Sequence, residues 1–356
     1  MKPTMMTYIH EEQATLSAML SRYPSDLPVL GGQKEWLVLA TGSSINAINS
    51  AKYYVEKLAD VRITVEEPFH FQHYEKFSDT TDLVIGVSQS GESTSTINAI
   101  QHIRQTHPVK TLGITSKAGS ELARTVDHVI DIEIGEERVG YVTKGYVATI
   151  LKFMLLGVFV ARRSGKIDAE QEAAELHKLD VAVRSIPGVI ADTEAFFIKW
   201  QDELAVSPRF TSIGYGPSVG VIKEMETKFA ETIRVPSQGV ELEAFMHGPY
   251  FEVNGNHRMF FIDTPGVARE RLLLLKAYEQ KYTDYVYTIK LGEDNDPRTL
   301  AVKADVDEFI APLIMVIPFQ ILAHHIAEAK GNNLPQRIFT DFGVSVKSKT
   351  KPGDYA

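Results

Sequence analysis

Short apolar runs alternating with longer helix-like stretches constrain this chain more than any other feature. Residues 36–40 (WLVLA), 61–66, 82–87 (DLVIGV), 111–115 and 129–132 read as strands. Between them, residues 45–59 and 94–106 carry apolar side chains at helical spacing. Strands of four to six residues separated by helices of ten or more predict βαβ units and a parallel, doubly wound α/β sheet. The nearly continuous apolar character of the strands agrees, because such a sheet is covered on both faces.

The pattern recurs. Residues 210–214 (FTSIG) run into Tyr215-Gly216-Pro217-Ser218, a helix pattern covers 223–232, and an acidic segment with Glu241 and Glu243 follows. The first half has the same order: strand, Gly42 and Ser44, helix, strand, then Glu66 and Glu67. Glu66 lies 24 residues after Gly42, and Glu241 lies 25 after Gly216. Two tandem copies of one flavodoxin-like domain are therefore expected, at 22–167 and 206–345. Residues 168–205 would form a helical connector and 346–356 a C-terminal tail.

Composition removes several chemistries. There is no cysteine among the 356 residues, so disulfides, thiolate metal sites and cysteine nucleophiles are excluded. A net charge of −9 argues against a nucleic-acid partner. The apolar run 147–161 contains Lys152 and is short for a bilayer, so it reads as a buried helix and no membrane partner is expected. No leader is visible in residues 1–20, which makes the cytoplasm the default location.

The candidate chemistry begins with Ser88-Gln89-Ser90-Gly91-Glu92-Ser93, placed between a buried strand and a helix. Hydroxyls and free N–H groups at a helix start suit a phosphate dianion, although a serine-rich N-cap looks the same. Ser44 at the end of the neighbouring strand strengthens the phosphate reading. Neither loop has a Walker A or dinucleotide pattern, so no nucleotide cofactor is expected. Glu231, on a helix pattern with Glu224, and His247, in a loop before Gly248-Pro249, are residue types that move protons at a sugar. A solvated glutamate and a structural histidine are the plainer readings of each alone. His324 and His325 are adjacent and lack the i, i+4 histidine spacing of a zinc motif. They read as structural or as wall residues, and no metal is expected.

Together these motifs resemble those of the sugar isomerase (SIS) family. Ser88 to Ser93 is similar to its S-Q-S-G-E-T signature, and Gly42-Ser43-Ser44 to its G-T-S loop. The tandem arrangement, from about residue 30 to 345, resembles the isomerase half of glucosamine-6-phosphate synthase. The resemblance implies catalysis by Glu231 with ring opening by His247, contributed by a neighbouring subunit of a homodimer or higher homo-oligomer with shared active sites. It implies phosphate binding by Ser44, Ser88, Gln89, Ser90 and Ser93, and a pocket wall with Thr143 and Lys144, where Val142 replaces a serine. Glu224 is counted among the substrate-binding residues.

The chain carries neither a glutaminase part nor an aligned Schiff-base lysine: that position falls near Asp341, and Lys347, Lys349 and Lys351 are only close to it. This is similar to fructosamine- and fructoselysine-6-phosphate deglycases, as is the tail 347–356. The resemblance implies fructoselysine 6-phosphate plus water giving glucose 6-phosphate plus lysine, without cofactor. Its rivals are aldose–ketose isomerisation or deamination of hexosamine phosphates, and a non-catalytic sugar-phosphate sensor. Glu241, Glu243 and Asp341 are candidate partners for the lysine ammonium, beside a plain reading as surface carboxylates.

Overall fold

The computed structural model describes residues 3–135 and 137–350. Residues 14–176, together with the chain from 337 onward, form one compact unit; the chain up to 13, together with 177–336, forms the other. Lys351 and the rest of the tail that the sequence reading compared with deglycases lie outside the described residues.

The first unit is built on β1 (Glu35–Ala40), β2 (Arg62–Glu66), β3 (Leu83–Val87), β4 (Lys110–Thr115) and β5 (His128–Asp131). Every neighbouring pair is parallel, in the order β2-β1-β3-β4-β5. Alternation along β1 divides its side chains between two helical layers. Leu37 and Leu39 join Val84, Ile97, Ile100 and Ile103 in one core, under helix Thr94–Thr106. Trp36 points the other way and meets Phe153 of helix Lys144–Arg163 edge-on, at 6.3 Å.

The second unit contains β6 (Phe210–Gly214), β7 (Ser237–Glu241), β8 (Arg258–Asp263), β9 (Val286–Leu291) and β10 (Thr299–Val302). Its order, β10-β9-β8-β6-β7, is the order of the first sheet when read from its own first strand, and it too is wholly parallel. The expected duplication is therefore present in the fold. The correspondence reaches single residues: Gly42 and Gly216 each stand two residues beyond the first strand of their unit, with φ of 58° and 52°. Both turns enter a helix, Ser43–Leu58 or Ser218–Thr232. Aromatic rings of Phe210, Phe229, Phe260, Phe319 and Tyr287 fill one face of the second sheet, with centroids 5.0–6.4 Å apart.

Two helical stretches, Lys144–Arg163 and Pro312–Ala329, are long and apolar enough to cross a membrane by composition. Burial within the protein covers 89% and 83% of their most apolar windows, so both serve as core helices here. The connector segment is one 37-residue helix, Ala169–Ala205.

One buried acid gives the second unit a pH dependence. Glu279 is 1% exposed and its Oε1 has no hydrogen-bond partner; burial pushes its carboxyl up to about 7 from an ordinary 4.5. The folded protein then holds a proton that the unfolded chain releases between pH 4.5 and about 7, so this group's contribution to stability falls as pH rises through that window. Replacing Glu279 with Gln is expected to raise the thermal unfolding midpoint at pH 8 and to change it little at pH 4.5. Equal shifts at both values would contradict the assignment.

Candidate functional site

In the first sheet β1 and β3 are neighbours, but their connections leave in opposite directions, to β2 and to β4. The chain ends diverge there and open a crevice at the carboxyl edge of the strands, where α/β sheets bind ligands. A cavity of about 330 Å³ occupies this place. Ser44, from the β1 loop, and Ser88, Gln89, Ser90 and Ser93, from the β3 loop, all line it. The sequence-predicted phosphate residues are thus brought together.

Local packing fixes the β3 loop. Gly91 has φ 66°, and a Cβ there would strike the side chain of Ser120, so the turn closes only with glycine. The Gln89 carbonyl accepts from Ser116 Oγ at 2.7 Å, and the Gln89 amide nitrogen donates to Glu137 at 3.0 Å. Glu137 also accepts from Thr143 N and Oγ1, at 2.7 and 2.8 Å, and from Gly145 N at 3.1 Å. It thereby ties the β3 loop to the start of helix Lys144–Arg163. Thr143 and Lys144 are buried by this arrangement and are not among the lining residues; Val142 takes a place in the wall.

Three cations line the cavity, Lys117, Arg138 and Lys349. None of the three is expected in this pocket from sequence; Lys349 reads there only as lying close to the Schiff-base position. The tail lies against the β3 loop as a short antiparallel bridge, pairing Lys349 with Ser93. Thr94 N donates to Ser348 O at 3.3 Å, and Thr350 N donates to Glu92 O at 3.0 Å. Lys349 Nζ then lies 3.4 Å from Ser90 Oγ. The residue as a whole is exposed; desolvation at the cavity wall pulls its ammonium below the ordinary range, with Glu92 opposing. The expectation of free N–H groups at this helix start needs correcting, since the tail carbonyl takes that of Thr94. The alternation Lys347-Ser348-Lys349-Thr350 is the one sequence signal of an extended basic strand.

The second unit holds the other candidates. On helix Ser218–Thr232, Glu224 and Lys228 are 0% and 1% exposed, with Lys228 Nζ 3.6 Å from Glu224 and 2.6 Å from Glu231. The Glu231 side chain keeps 37% of its surface in solvent. His247 follows the short helix Leu242–Phe245 after β7; its side chain is 73% exposed and its Nε2 is 3.2 Å from Glu243 Oε1. Glu243 also pairs with Arg271 at 2.8 Å, and Glu241 caps the short helix by accepting from Glu243 N and Ala244 N.

Topology keeps Glu231 and His247 of one chain apart. Helix Ser218–Thr232 starts at the carboxyl edge of β6 and runs back antiparallel to the strands, carrying Glu231 about 20 Å from that edge. His247 lies just beyond the carboxyl end of β7. A Cβ on Gly239 in mid-β7 would collide with the Ile222 carbonyl, and Gly239 N donates to Glu226 Oε2 at 2.8 Å, which fixes the level of the helix against the strand. The two residues therefore occupy opposite ends of the β6–β7 layer.

Residues 30–159 match the SIS domain family. The serine loops of this stretch are the ones that line the cavity at β1 and β3. Over 84% of its length the chain is 28% identical to glutamine–fructose-6-phosphate aminotransferase (isomerizing) from Gloeobacter violaceus. It spans about half the length of the curated relatives it matches, 50% in that case. A Clostridium difficile 630 protein, provisionally described as a phosphosugar isomerase, superposes with a TM-score of 0.91 at 25% identity, covering 99% of this chain and 100% of the other. The C-terminal domain of glucosamine-fructose-6-phosphate aminotransferase from Francisella tularensis shares the fold, with a TM-score of 0.84 over 94% and 98% of the two chains at 21% identity. The strand order of the matched stretch recurs in the second sheet, so the fold of the SIS match is built twice.

Proposed function

We propose that this chain is a deglycase of 6-phosphorylated ketosamines, converting fructoselysine 6-phosphate and water to glucose 6-phosphate and lysine. The observation that carries the sugar-phosphate class is the convergence of Ser44, Ser88, Gln89, Ser90, Ser93 and Lys349 on one cavity at the β1–β3 switch point. Hydroxyls, an amide and an ammonium make a donor set for a phosphate. His247 assists ring opening. Glu231 takes a proton from C1 of the ketosamine as the C2 carbonyl oxygen is protonated, giving an enaminol. A proton is then returned to C2 as the amine nitrogen gives up its own, which leaves C1=N beside a C2 hydroxyl, and water hydrolyses this imine and releases the amine. Each step conserves atoms and needs no redox cofactor. Because Glu231 and His247 lie at opposite ends of one layer, a site using both takes them from two copies of the chain, in a homodimer or larger assembly.

A second reading gains from Lys349. An amine lining this cavity is able to condense with a free ketose, which favours isomerisation or deamination of hexosamine phosphates. Product analysis separates the two. With fructoselysine 6-phosphate, equal amounts of glucose 6-phosphate and lysine are expected. Turnover of free hexosamine phosphate but not of the adduct would reject the deglycase in favour of the second reading. The Lys349→Ala variant is expected to raise KM roughly tenfold, as for one lost charge-assisted phosphate contact, with kcat largely kept. Loss of kcat together with borohydride trapping of substrate on the native protein would instead mark Lys349 as the condensing amine.

A further inference from the structure

Helix Ile317–Ala329 carries a side-chain cluster that the proposed reaction leaves unused. His325 stacks on Phe197 with centroids 5.0 Å apart, and its Nε2 is 2.9 Å from Glu194 Oε1, on helix Ala169–Ala205. A carboxylate only accepts, so that nitrogen carries the proton and His325 Nδ1 presents a lone pair. This lone pair faces His324 Nδ1 at 3.4 Å. His324 is 5% exposed, and its Nε2 is buried with no hydrogen-bond partner, 3.5 Å from Glu328 Oε1.

Neither neutral tautomer of His324 satisfies this arrangement. With the proton on Nδ1, the buried Nε2 lone pair faces a carboxylate oxygen. With the proton on Nε2, two Nδ1 lone pairs face each other. Protonating both nitrogens would satisfy both contacts but would place a full positive charge on a ring that is 5% exposed. A cation between the nitrogens removes the conflict. Two ligands on a tetrahedral zinc, each about 2.0–2.1 Å from it, lie roughly 3.3–3.4 Å apart, the spacing of the two Nδ1 atoms.

We propose that His324, His325 and Glu328 bind one divalent transition-metal ion, zinc by preference, with Glu194 as the outer carboxylate that orients His325. Ligand atoms from the three residues lie within 4.8 Å of one another. Two imidazoles and a carboxylate suit zinc better than magnesium or calcium. A carboxylate on the far nitrogen of a ligating histidine is the usual outer partner of such an ion. Through Glu194 the ion would brace helix Ile317–Ala329 against helix Ala169–Ala205. The i+4 residue of His324 is Glu328 in place of the second histidine of a zinc motif.

The test is equilibrium dialysis of the chelator-treated full chain against zinc chloride, with cobalt(II) substitution read by its visible ligand-field absorption. One ion per chain is expected, with tetrahedral cobalt absorption and a raised unfolding midpoint. Glu194→Gln should weaken binding ~10–100-fold, and His325→Asn should abolish it. Glu328→Gln, at a half-exposed position, keeps the test open if the histidine variant fails to fold, and it should weaken binding while leaving the far-ultraviolet dichroism intact. The proposal is overturned if the native chain takes up no ion, or if uptake is unchanged in Glu194→Gln and Glu328→Gln, which would assign it to surface histidines.

Discussion

Replacing Glu231 with Gln is expected to lower kcat on a phosphorylated ketosamine by ~10²–10⁴-fold, the usual contribution of a positioned acid–base group, while KM changes little. The substitution keeps the shape of the side chain and its contact with Lys228, and it removes only the capacity to take a proton from carbon. Because Glu231 is partly in solvent at the end of its helix, the fold should be retained, as the far-ultraviolet dichroism and unfolding midpoint would report. A variant that turns over within threefold of the native rate would exclude this residue as the base.

Lys228→Met should act on the fold itself. Lys228 is almost fully buried, with the fully buried Glu224 one helical turn before it and Glu231 after it. Removing one partner of a buried ion pair costs about 3–5 kcal/mol, because the desolvated charge that remains loses its counter-ion. Urea unfolding at neutral pH should show a loss of this size. The double change Lys228→Met with Glu224→Leu should recover most of it, since apolar replacement of a whole buried pair is often neutral. A single variant destabilised by less than ~1 kcal/mol would mean that the pair is screened by solvent.

Much of the fold was legible because buried parallel strands announce themselves as apolar runs. Phe210–Gly214 and Thr94–Thr106 start and stop where the pattern predicts. Helix Ser218–Thr232 begins five residues before the expected 223. Pro217 stands at the N-cap, where a missing N–H costs nothing. Helix Met5–Arg22 has no counterpart among the expected elements. The serine cradle was legible because each of its loops is local to one strand end. Lys349 was not, because its place depends on a backbone bridge to Ser93, distant in sequence. The sixteen residues from Glu231 to His247 likewise conceal their separation: the helix runs down the sheet, β7 runs back up, and the spacing alone does not show the reversal.

That separation is tested most directly by mixing two inactive proteins. Glu231→Gln and His247→Ala chains would be combined in equal amounts, dissociated, reassembled and assayed on fructoselysine 6-phosphate. If each site of a homodimer takes its glutamate from one copy and its histidine from the other, half of the dimers are mixed, and each mixed dimer has one intact site. The account predicts recovery of about a quarter of the native activity. A mixture no more active than its two components would contradict it.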